Sequence, residues 1–97
     1  MKFNWNSVNE IDETVKKFCI DLEYKLRPKI THFLMARLEQ DCNGDFSCFH
    51  FDVDVEKIYV TIVRPTPLKY KRRIASEFEL EINQQFINEL YPALRAG

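Results

Sequence analysis

The chain has 97 residues and a mass of 11.6 kDa, which is enough for one domain and too little for two independent cores. Apolar residues make up 45% of it and charged residues 30%, with eight Phe, four Tyr and one Trp. A domain of this size buries about 60–65% of its unfolded surface, so this supply suffices for a core and speaks against disorder. A formal net charge of −1 excludes a uniformly basic nucleic-acid coat and a strongly acidic DNA mimic alike.

Residues 1–6 carry Phe3 and Trp5 among polar neighbours without a helical period. They read as an N-terminal arm that tucks two aromatic rings against the body of a single domain spanning 1–97. Ser7-Val8-Asn9-Glu10 fits a capping box, in which the Ser side chain accepts from the backbone three residues on and Glu10 reaches back. Val8, Ile11, Val15, Phe18, Leu22 and Leu26 then recur at three- and four-residue intervals, which predicts an amphipathic helix. Pro28 cannot continue a helix without losing a hydrogen bond, but it suits the first turn of a new one. The reading is therefore a break near Arg27 and a second helix from Pro28 to Cys42, with one kinked helix as the alternative. Ile30, Phe33, Leu34 and Leu38 form its apolar stripe, and Asn43-Gly44 ends it.

Beyond Asp45 the period falls to two. Phe49, Phe51, Val53 and Val55 alternate with Cys48, His50, Asp52 and Asp54, as expected of a strand with one buried and one wet face. Ile58 to Val63 is rich in β-branched and aromatic residues and predicts a second strand, joined to the first around Glu56-Lys57. Pro65 and Pro67 stop it. The last element is a helix from about Lys69–Arg72 to Leu90, with Ile74, Phe78, Ile82, Phe86 and Leu90 on one stripe. Leu80, Ile87, Tyr91 and Leu94 make a second stripe, a surplus that leaves room for a homodimer. The expected fold is α+β, a small single domain of order ααββα with a two-stranded antiparallel hairpin covered by helices.

Charged residues interrupt the N-terminal region before any secretory-type apolar run forms, and no stretch approaches the ~20 apolar residues that span a bilayer. Three cysteines, Cys19, Cys42 and Cys48, are an odd number in a chain able to fold without staples. The expectation is a cytoplasmic protein without a structural disulfide or a membrane partner.

Chemistry is thinly represented. Gly44 is the one internal glycine, so the multi-glycine phosphate loops of nucleotide-binding enzymes are missing. No Gly-x-Ser-x-Gly elbow occurs. Cys42, Cys48 and His50 have metal-ligating side chains, and Cys48 and His50 would share a strand face. Their C-x5-C-x-H spacing is nevertheless no zinc knuckle, and ordinary packing explains them better. His50, Asp52 and Asp54 read as a solvated strand face, and Glu56-Lys57 are adjacent where a nuclease-type Glu-x-Lys would need one residue between them. No catalytic set, metal or cofactor is expected.

Charge segregation is more informative. Residues 58–73 hold Arg64, Lys69, Lys71, Arg72 and Arg73 with no acid, a charge of +5, while residues 45–57 and 74–97 carry −3 each. Cations crowded at a helix N-terminus oppose the macrodipole, so local stability does not account for them. Arg64, Lys69, Tyr70, Lys71, Arg72 and Arg73 are the candidate partner-binding residues. They suggest a non-enzymatic interaction protein that docks onto a macromolecular partner through this segment and the surplus apolar stripe. Small chains of this kind, phage and mobile-element products among them, commonly act as regulators or inhibitors, here of host nucleic-acid-processing machinery. The alternative is direct DNA or RNA binding through the same segment, with Tyr70 as a stacking group.

Overall fold

The computed structural model describes residues 1–6, 13–54, 57 and 59–89. Strict alternation builds the expected hairpin. β2 (His50–Asp54) and β3 (Tyr59–Val63) pair antiparallel, with Val53 opposite Val60 and Phe51 opposite Ile62. Those four side chains are buried, whereas His50, Asp52, Asp54, Tyr59 and Thr61 occupy the other, more accessible face.

The sheet is wider than the sequence implies. Lys2–Asn6, expected as an arm, forms β1 and pairs parallel to β2, giving the order β1-β2-β3. Period two is present in Lys2-Phe3-Asn4-Trp5-Asn6, but five residues do not reveal a strand until a partner is at hand. Phe3 stacks on Phe51 with ring centroids 5.3 Å apart. On the opposite face, Asn4 Nδ2 donates to Asp52 Oδ1 at 3.1 Å.

The two predicted N-terminal helices are one. α1 runs unbroken from Glu13 to Cys42 with Pro28 inside it. Leu22, Leu26, Ile30, Phe33, Leu34 and Leu38 are buried on either side of the proline. Burying each such side chain contributes about 1.5–3 kcal/mol, so a common core face outweighs the roughly 3 kcal/mol cost of an interior proline. Asn43 (φ 53°) and Gly44 (φ 74°) end the helix in the left-handed region, with Gly44 N–H donating to the Glu39 carbonyl at 3.1 Å. The capping box at Ser7–Glu10 lies outside the described residues.

α2 (Leu68–Phe78) passes without a break into a π-helix over Glu79–Ile87. Ile74, Phe78, Ile82 and Ile87 all join the core. Ile87 thus departs from its expected place on a second, surplus stripe. The i→i+5 step of a π-helix returns Ile87 to the side occupied by Ile82, merging two stripes that a uniform 3.6-residue period keeps apart. Leu80 stays exposed; the Phe86 side chain and residues 90–94 lie outside the described residues.

The order is therefore βαββα rather than ααββα, within the α+β class expected. One core cluster joins both helices to the inner sheet face, with Phe78 edge-on to Phe33 at 5.5 Å and stacked on Phe51 at 5.6 Å. No helix among the described residues is long and apolar enough to cross a membrane.

Candidate functional site

The basic segment turns from the end of β3 into the first turns of α2, and local chemistry leaves that helix start bare. Thr66, two residues before the first helical position, has its hydroxyl committed elsewhere. Its Oγ1 accepts from His50 N–H at 2.8 Å and donates to the His50 carbonyl at 3.3 Å, extending the β2–β3 ladder. The N-cap is Pro67, which offers no side-chain bond, and no acidic residue lies in the first turn. Tyr70 and Lys71 N–H both donate to the Pro67 carbonyl at 3.1 Å. The earlier N–H groups of the helix, those of Leu68 and Lys69, have no acceptor within it.

The six nominated side chains divide into two groups. Arg64, Lys69 and Arg72 are exposed, and none has an acidic partner among the described residues. Lys71 is half-buried along the flank of α2 that faces β3. Lys69 Nζ lies 4.9 Å from the centre of the Tyr70 ring. Arg73 is paired with Asp41 of α1 and so ties the two helices together. Tyr70 is half-buried, stacks on Phe49 at 5.9 Å and donates its hydroxyl to the Asp41 carbonyl at 3.3 Å. Its ring belongs to the edge of the core, which removes the free stacking platform that nucleic-acid binding would use.

The candidate metal residues do not converge. Cys48 precedes β2 and packs against the core, while His50 lies on the opposite sheet face. This departs from the shared strand face expected for them, because β2 begins only at His50. No group of three or more His, Cys, Asp or Glu residues with ligand geometry occurs among the described residues. Cys19, Cys42 and Cys48 are free thiols, and burial pushes the Cys19 and Cys42 pKa values up, away from the reactive thiolate. On the open sheet face, Asp52 accepts from Asn4, and Asp54 accepts Lys57 N–H at 3.2 Å in the hairpin turn. These carboxylates serve pairing and turn formation.

A groove of about 340 Å³ that the sequence does not announce runs between β3 and α2. All five β3 residues line it on one side, and Lys71, Ala75, Phe78, Glu79 and Asn83 line the other. Asn83, buried within the π-helix, donates from Nδ2 to the Val60 carbonyl at 2.7 Å and accepts Val60 N–H on Oδ1 at 2.8 Å. Asn83 stands between Ile82 and Gln84-Gln85, so no local pattern in the sequence marks it as buried. Burial, with the Glu79 carboxylate nearby, raises the Tyr59 pKa. No protein-family model, curated protein or solved structure matches this chain.

Proposed function

We propose that this domain is a non-enzymatic docking module, a small regulator or inhibitor that binds an acidic surface on a protein partner through Arg64, Lys69, Lys71 and Arg72. One observation carries the reading: three exposed cations with no acidic partner among the described residues surround an uncapped helix start. Cations at that end oppose the helix dipole, so stability of the isolated domain does not call for them. An opposing set of carboxylates would satisfy these cations and complement the positive end of the helix dipole together. The commitment of Tyr70 and Arg73 within the fold favours a protein partner over a nucleic acid.

The test is a charge-reversed variant, Arg64→Glu/Lys69→Glu/Arg72→Glu, compared with the parent chain in affinity capture from the native host. The parent should retain a defined partner that the variant loses while its circular dichroism is unchanged. Equal recovery by both proteins would refute the reading. A mobility shift with DNA or RNA, weakening with salt at a log–log slope of roughly 0.7–0.9 per neutralised phosphate, would transfer the same residues to nucleic-acid binding.

A further inference from the structure

β3 is an edge strand, and only part of its edge is guarded. Because Val60 directs both its N–H and its carbonyl to Asn83, it occupies a position whose backbone groups face away from β2. Alternation then turns the N–H and carbonyl of Ile62 outward as well, into the groove beside α2. The side-chain amide of Asn83 substitutes for a fourth strand at Val60, and no described side chain does so at Ile62. Proteins usually blunt such edges with lysine, proline or a bulge. Here β3 contains no lysine, proline or bulge and keeps regular pairing throughout.

We infer that this groove receives an extended acidic peptide segment of the partner, which adds to β3 as a fourth strand. The inference rests on the docking function proposed above and names the form of what docks. Main-chain bonds to Ile62 would set the register, as in other cases of strand addition. Charge complementarity selects the peptide. At the Val63 end the groove is flanked by Lys71, and Arg64 continues the strand just beyond it. The one acid in the lining, Glu79, lies by Tyr59 at the other end of the strand, away from Lys71 and Arg64. On the peptide face turned to α2, a carboxylate would meet Lys71 and Arg64 at the Val63 end, and an apolar side chain two residues on would meet Ala75 and Phe78.

The experiment uses the full chain and an end-blocked peptide Glu-Glu-Val-Val-Glu-Glu-Val, which carries both residue types on each strand face, with a control peptide methylated at every backbone nitrogen. The control keeps all its charges and cannot pair as a strand. Amide exchange is followed by nuclear magnetic resonance. In the free chain the Ile62 amide should exchange faster than that of Val60, and the unmethylated peptide should slow Ile62 by about tenfold or more. The variants Ala75→Gln, which fills the groove without adding charge, and Lys71→Gln should each weaken binding by about tenfold. Equal binding of both peptides would overturn strand addition while leaving the cationic docking surface standing. Binding without protection of Ile62, or no binding at all, would also overturn it, and the docking surface would still be judged separately by the charge-reversed variant.

Discussion

At the scale of single residues, the most consequential polar contact is made by Asn83. One carboxamide has a donor and an acceptor spaced to match a peptide group, so it satisfies both backbone groups of Val60 from within a helix. Asn83→Ala leaves a buried N–H and a buried carbonyl without partners. At about 1–3 kcal/mol for each orphaned group, a loss of about 2–6 kcal/mol is expected in urea unfolding. Asp45 acts in the opposite manner, from the surface. Its carboxylate accepts Ser47 N–H at 3.0 Å just after α1, and the backbone and hydroxyl bonds from Ser47 hold its pKa below the usual Asp value. A depressed folded-state pKa contributes stability above the ordinary Asp range, near pH 4, which is lost as pH falls through the folded value. The urea midpoint of the parent should therefore fall more steeply between about pH 4 and 2 than that of Asp45→Asn.

At the scale of elements, two helices depart from uniform α-helical periodicity for the same reason: a continuous buried face outweighs the local cost. In α1, Pro28 is retained in the helix because apolar residues on both sides of it meet one sheet. In the last helix, the π segment brings Ile82, Asn83 and Ile87 inward together, two for the core and one for the β3 edge. Mutation separates this arrangement from the uniform α-helix that the four-residue spacing suggests. Ile87→Ala should cost about 2–4 kcal/mol, as for a fully enclosed side chain. Leu80→Ala should stay within about 0.5 kcal/mol, because Leu80 is half-exposed. Denaturant midpoints of the two variants provide the comparison, and comparable losses would contradict the π geometry.

At the scale of the whole molecule, a helix layer covers one sheet face, and charged side chains bind that layer from outside. Arg37 bridges Glu77 and Glu81 while its guanidinium lies 4.0 Å from the centre of the Phe33 ring, and Arg73 meets Asp41. Exposed pairs of this type contribute only about 0–1 kcal/mol each. Arg37→Met, which keeps a covering stem over Phe33, should therefore cost about 1 kcal/mol or less, and should unfold with weaker salt dependence than the parent. The amino-acid sequence by itself determined the α+β class, the β2–β3 hairpin, most of the core residues and the basic run from Arg64 to Arg73. Each of these is written in local periodicity or in a contiguous stretch of charge. Tertiary structure decided the rest, because those features depend on partners distant in the chain. Phe3 and Trp5 needed β2 before they could form a strand, and Pro28 needed a sheet under both halves of α1. Ile87 reached the core only through the π turn, and Tyr70 was drawn from a presumed contact surface into packing by Phe49 and Asp41. The groove beside Ile62 belongs to no sequence segment; it exists because β3 ends the sheet and α2 returns alongside it.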